Sequence, residues 1–209
     1  NNLNLVSCKE SEQRLCELRR QSVHQLKNKR KKCDEIGMVI LLCGASRSGK
    51  TSLAKELNSR LKRSVFVIEQ DKHGNGMKNI KTDGKRNWEN SIYTNWSALI
   101  ASTKDAISFY PYVIVEGYTL LDCDELVKMA KHIAWCISNE TICAERRTKF
   151  PIEWMSAKNY VEKCVWPSHE DYYRRVRDKA IRIDIHLDEN KSTEERADLI
   201  CSMMLQSST

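Results

Sequence analysis

The 209-residue sequence predicts an α/β fold: a five-stranded parallel sheet with helices on both faces and a small lid. Three observations carry that expectation. Short apolar runs recur along the chain, each separated from the next by a stretch of helical periodicity, the alternation that builds parallel sheets. A glycine-containing loop joins the first of these runs to the first helical pattern. Six of the seven glycines, at 44, 49, 74, 76, 84 and 117, fall in or just after predicted strand ends, where open α/β sheets bind ligands.

The elements follow in order. Ser7 and Glu10 form a capping box that opens a helix toward Lys32, with Leu15, Leu18 and Leu26 near one face. The basic run 27–32 closes it, and its cations suit the negative end of a helix dipole. Residues 1–36 are therefore expected to be a basic helical extension, and residues 37–209 the folded domain. Residues 38–43 read as a buried strand and 53–61 as the helix after it. Further buried strands are expected at 65–68, 112–115 and 133–137. At 181–187 Ile181, Ile183, Ile185 and Leu187 alternate with Arg182, Asp184 and His186, the pattern of a half-exposed edge strand.

Composition excludes several classes. Apolar residues make up 41% and charged residues 30%, ordinary for a globular domain. No run of eighteen apolar residues occurs, so no membrane span is expected, and residues 1–8 lack the features of a secretory signal. The net charge of +7 is concentrated early: residues 1–36 hold nine Lys/Arg against five Asp/Glu, the remainder 26 against 23. The body of the chain is thus no polyanion binder, and nucleic acid is not an expected partner. The nine cysteines (8, 16, 33, 43, 123, 136, 143, 164 and 201) are odd in number and form no C-x-x-C pair. Reduced thiols in a cytoplasmic protein are the expectation.

The chemistry lies at the predicted strand ends. Gly44-Ala45-Ser46-Arg47-Ser48-Gly49-Lys50-Thr51 matches G-x-x-x-x-G-K-[ST] between a strand and a helix. Its glycines let successive N–H groups curl inward around phosphate, and the helix start adds a positive dipole end. Lys50 is placed to reach the β- and γ-phosphates and Thr51 to ligate Mg²⁺, with Ser52 next along the helix start. The second strand runs into Glu69-Gln70-Asp71, which puts Asp71 where a carboxylate accepts a hydroxyl proton or helps hold metal. The third runs into Glu116-Gly117, the form of a second magnesium-site acid. Arg146, Arg147 and Lys149 end a helical pattern that starts at Asn139 and suit a basic lid over phosphate. Trp88, Trp96, Trp154 and Trp166 are candidates for a wall that stacks on a base, against the commoner fate of aromatics in a core. His73 reads as a polar loop residue.

These residues resemble the nicotinamide riboside kinases, a family of uridine kinase-like P-loop kinases. The resemblance runs from about residue 38 to 205. It rests on the loop 44–51, Val67-Ile68-Glu69-Gln70-Asp71, Val115-Glu116-Gly117, Cys143-Ala144-Glu145-Arg146-Arg147, Val165-Trp166-Pro167 before Tyr172-Tyr173, and Leu187-Asp188 before Lys191-Ser192. It implies ATP and Mg²⁺ as cofactors and a nucleoside as substrate. Asp71 would take the 5′-hydroxyl proton, Lys50 and Thr51 would serve phosphate and magnesium, and Glu116 would stand near the metal. Arg146 would join the ATP site. Arg147 and Glu89 would contact the ribose hydroxyls, with Trp88 beside the substrate.

The chain departs from the family pattern in three places. Asp71-Lys72-His73-Gly74 stands where the family has two Asp and two Phe, and the Pro-rich lid segment with its Gly-Tyr is absent. Glu89 also replaces the family's usual Asp. A uridine or cytidine kinase is the alternative within the class, and a nucleotide-binding regulatory module without catalysis the alternative outside it. Retention of Lys50, Asp71 and Glu116 favours an enzyme.

Overall fold

The computed structural model describes residues 37–74, 89–149 and 156–206. The expected N-terminal helix, Trp88 and Trp154 lie outside the described residues.

Five parallel strands form one sheet. They are β1 (Met38–Gly44), β2 (Val65–Glu69), β3 (Tyr112–Glu116), β4 (Ala130–Cys136) and β5 (Ile185–Leu187), in the order β2-β3-β1-β4-β5. The helices between them are α1 (Lys50–Leu61), α2 (Trp96–Ile107), α3 (Asp124–Met129) and α4 (Glu140–Arg147). After α4 come α5 (Ala157–Tyr160), α6 (Trp166–Asp178) and α7 (Thr193–Gln206).

β1 reads as an unbroken apolar run because it is the central strand and both its faces are covered. Alternate residues serve opposite layers. Ile40 and Leu42 pack with Leu53, Leu57 and Leu61 of α1 and with Ile200 and Met204 of α7. Val39, Leu41 and Cys43 face the other way, toward Leu99 of α2, Leu126 of α3, and Tyr172 and Val176 of α6. A smaller third cluster sets Ala45 of the phosphate-loop motif against Cys143, Tyr160, Val161, Cys164 and Val165. Trp96 and Trp166 pack against the second and third clusters, so these two candidates for a base-stacking wall serve the core.

Local chemistry sets the helix starts. Asn95 caps α2 by accepting from Ala98 N–H, and Asn139 caps α4 by accepting from Ile142 N–H. α7 opens with a capping box: Ser192 Oγ accepts from Glu195 N–H at 3.1 Å, and Glu195 Oε2 accepts from Ser192 N–H at 2.7 Å. Between α5 and α6 residues Val161–Val165 form a π-helical turn, directly before Trp166-Pro167. Pro167 has no N–H to continue an α-helical ladder through this turn.

The edge strand is shorter than the alternation at 181–187 predicts. Asp184 Oδ2 accepts the Ile133 N–H at 2.9 Å, a bond that a ladder would have given to a backbone carbonyl. Pairing with β4 therefore covers only Ile185–Leu187, while Ile181 and Ile183 pack into the second cluster. β4 in turn starts three residues earlier than expected and ends at Cys136. Cys43, Cys136, Cys143 and Cys201 are buried free thiols.

Candidate active site

The sheet register sets the site. Glu69 of β2 and Glu116 of β3 stand level with one another, and Glu116 pairs with Leu42 of β1. The carboxyl ends of the strands thus finish together around the loop after β1. In that loop Gly44 has φ +139° and Gly49 has φ +95°, a region favourable to glycine. Arg47 adopts φ +68°. A turn bond from Ser48 N–H to the Ala45 carbonyl (3.1 Å) folds the loop, and Gly49 leads into α1.

A cavity of about 930 Å³ opens over this loop. Its floor includes Ser46, Arg47, Gly49, Lys50, Thr51 and Ser52. One side follows the β2 and β3 ends, with Asp71, Glu89, Tyr93, Glu116 and Tyr118. Arg146, Arg147 and Lys149 come from the end of α4. Thr193 and Arg196 of α7, the helix after the opposite edge strand, complete the lining. Gly44, Ala45 and Ser48 build the loop from behind; Ala45 and Ser48 are fully buried.

Lys50 is buried, and its ammonium donates to the Gly44 carbonyl at 3.0 Å and the Ala45 carbonyl at 2.7 Å. The loop's own carbonyls hold the side chain, and it lines the cavity. Thr51 Oγ1 donates to Glu116 Oε1 at 2.7 Å, joining two residues 65 positions apart. Burial pushes the Glu116 carboxyl pKa up, opposed by Lys50 and by the Thr51 hydrogen bond; Asp71 and Glu69 add to the rise. A hydroxyl and a carboxylate are hard oxygen donors of the kind Mg²⁺ takes, with its other positions left for phosphate and water. Among the described residues no cluster of three or more His, Cys, Asp or Glu suits a metal, so a softer, all-protein site is not built there.

Asp71 is exposed to the cavity. Glu89 is half-buried, and its pKa is pushed up to about 7, chiefly by desolvation and also by Asp71. Lys50, Arg147 and Arg47 oppose that rise, which puts these charges around one carboxylate. Arg146 Nη1 donates to the Arg47 carbonyl at 3.0 Å. The Arg147 guanidinium lies 4.9 Å from the Tyr160 ring centre, a cation–π contact, and Nη1 points to Ser46 Oγ at 3.5 Å. Both arginines thus face the loop and are not a solvated helix face.

Several lining residues escaped the sequence reading. Tyr93, Tyr118, Thr193 and Arg196 carry no motif, and Gln70 lay unremarked within its own landmark. Gln70 Nε2 donates to Thr94 Oγ1 and Thr119 Oγ1, both at 2.7 Å, and its Oε1 accepts from Thr119 N–H at 3.1 Å. This bracket ties the β2 end to the β3 end. It depends on Gly117, because a Cβ there would sit 2.1 Å from Gln70 Oε1. Gly117→Ala is expected to destabilise the protein by about 1–3 kcal/mol, as overpacking does, read from the denaturant midpoint. His73 ties its ring to the Glu69 carbonyl and Ser102 Oγ, both at 3.1 Å, a structural use.

The sheet order, the loop and the flanking helices define a P-loop NTPase fold. The chain is similar to human (Homo sapiens) nicotinamide riboside kinase 1, 24% identical over 174 residues that cover 75% of this chain and 86% of that protein. Among solved structures it resembles a possible uridine kinase from Bacillus stearothermophilus (TM-score 0.52, 18% identity, 81% of this chain and 98% of that one). It also resembles a shikimate kinase from Acinetobacter baumannii (TM-score 0.52, 16% identity, 83% and 96%). No family model matches the chain. The likeness to the human enzyme and to the uridine kinase-like fold supports the resemblance drawn from the sequence.

Proposed function

We propose that this protein transfers the γ-phosphoryl group of ATP to the 5′-hydroxyl of a ribonucleoside, with nicotinamide riboside as the first candidate. The observation that carries the reading is the convergence in one cavity of a phosphate-binding loop, the Thr51–Glu116 pair, and the charged group Asp71, Glu89 and Arg147. Kinase chemistry on a small molecule is supported by the human relative and the fold. The same relative is the reason for placing nicotinamide riboside first.

In this reading the loop N–H groups and Lys50 cradle the phosphates, and Thr51 and Glu116 hold Mg²⁺. When bound, the ion would supply charge neutralisation to the transferring phosphoryl group. Asp71 takes the proton of the attacking hydroxyl. Arg146 closes on the phosphate side, where it excludes water. The buried free thiols of Cys43, Cys136, Cys143 and Cys201 support a reducing, cytoplasmic setting, and no helix among the described residues is long and apolar enough to cross a membrane. A panel of ribonucleosides with radiolabelled ATP tests the assignment. Transfer to uridine or cytidine in preference to nicotinamide riboside would move the protein to the pyrimidine nucleoside kinases, and no transfer to any member would remove the nucleoside reading.

Glu89 and Arg147 are the proposed ribose clamp. A carboxylate accepts from hydroxyl protons and a guanidinium donates to hydroxyl oxygens, each bond worth about 1.5–3 kcal/mol. A 2′-deoxy substrate is expected to lose about ten- to a hundredfold in kcat/KM, and Glu89→Ala to lose most of that discrimination. The pH dependence has a definite sign. With a pKa of about 7, Glu89 is protonated below neutrality and accepts hydrogen bonds fully only above it. Discrimination should therefore rise between pH 6 and pH 8 in the wild type and stay flat in Glu89→Ala. Equal rates on both sugars at pH 8 would remove the clamp.

A further inference from the structure

Arg196 lies on the second helical turn of α7, yet its residue is only 4% exposed. Its Nη1 donates to the Ser48 carbonyl at 3.2 Å, and its Nε is buried with no hydrogen-bond partner. The guanidinium covers Gly49 so closely that a Cβ there would sit 3.1 Å from Nη2. The acids near it in sequence are engaged elsewhere: Glu195 caps the helix start and Asp198 pairs with Arg60 at 2.6 Å. Among the described residues no carboxylate forms an ion pair with Arg196, and the charge beside it on the loop is another cation, Lys50. A buried, unpaired guanidinium is costly unless an anion compensates it. Here it lines the same cavity as Ser52 and Thr193, against Ser48 and Gly49 of a loop shaped for phosphate.

We propose that Arg196 is a phosphate-binding charge of the nucleotide site, whose counter-ion is the polyphosphate of the bound donor. The proposal rests on the kinase reading. It assigns to α7 a part that no loop motif encodes: nucleotide binding neutralises the charge that the capping box and the core hold beside Ser48 and Gly49.

The test is calorimetric binding of ATP and of inorganic tripolyphosphate to wild type, Arg196→Met and Arg196→Gln. Gln keeps an N–H for the Ser48 carbonyl and removes the charge, so it separates anchoring of the loop from attraction of phosphate. Both variants are expected to bind ATP and tripolyphosphate about ten- to thirtyfold more weakly, as loss of a charge-assisted contact implies, and to bind the nucleoside as wild type does. The apo Met variant should melt at or above the wild-type temperature, because an unpaired buried charge has gone. If Met fails to fold, Gln carries the comparison. Wild-type affinity for tripolyphosphate in Arg196→Gln would overturn the proposal. Absence of ATP and tripolyphosphate binding in the wild type would instead overturn the kinase reading beneath it.

Discussion

Lys50→Ala is expected to reduce turnover by about 10³-fold or more while the protein stays folded. Loss of a single donor aimed at developing charge costs about 10²–10³-fold, and Lys50 is a full charge placed at the phosphate loop. The side chain is buried, and its hydrogen bonds among the described residues go to the carbonyls of Gly44 and Ala45, which belong to the same loop. Its removal takes no contact from either main core cluster, and the charge it withdraws from Glu89 and Glu116 is one whose loss those carboxylates can meet by taking up a proton. The thermal midpoint should accordingly move by only a few degrees. Lys50→Met fills the space and serves as the control for a cavity effect. Initial rates under saturating ATP and nucleoside provide the check; turnover within threefold of wild type in both variants would end the kinase reading.

Asp71→Asn should lower kcat by about 10²–10⁴-fold, the contribution of a well-placed general base, and leave the dissociation constant for ATP within about twofold of wild type. Asn keeps the shape and removes the basicity. Asp71 sits exposed at the β2 end, in the turn that Gln70 braces, so the substitution disturbs no packing. A second readout follows from electrostatics. The negative charge of Asp71 raises the pKa of both Glu89 and Glu116, so its neutralisation should lower the Glu89 midpoint from about 7. The pH at which ribose discrimination appears would shift down with it. A variant that lost ATP affinity and kept kcat would make Asp71 a metal or structural residue.

Much of the architecture was legible because its causes are local. A strand covered on both faces must be apolar throughout, and β1 and β3 were found within a residue or two from that alone; β2 was found from the same apolar run, although it is an edge strand with Phe66 exposed. The loop 44–51 carries its own conformational requirements in Gly44 and Gly49. An acid that directly follows an apolar run is conspicuous, which is how Glu116 was singled out. Side chains that cap a helix act over three residues, so the start of α4 at Asn139 could be read as well.

What the tertiary structure alone decided involves partners distant in sequence. The Thr51–Glu116 bond, the Gln70 bracket to Thr119 and the truncation of β5 by the Asp184 carboxylate each depend on sheet order and register, which periodicity does not encode. Arg196 is the sharpest case. In the sequence it stands among Glu194, Glu195 and Asp198 and reads as one more charge on a solvated helix face. Only the packing of α7 on the same layer as α1 turns that face inward at its first turns and sets a guanidinium against Ser48 and Gly49. A residue's type and its near neighbours reveal what chemistry it can perform; burial and the identity of its distant partner settle whether that chemistry is directed at solvent or at a phosphate.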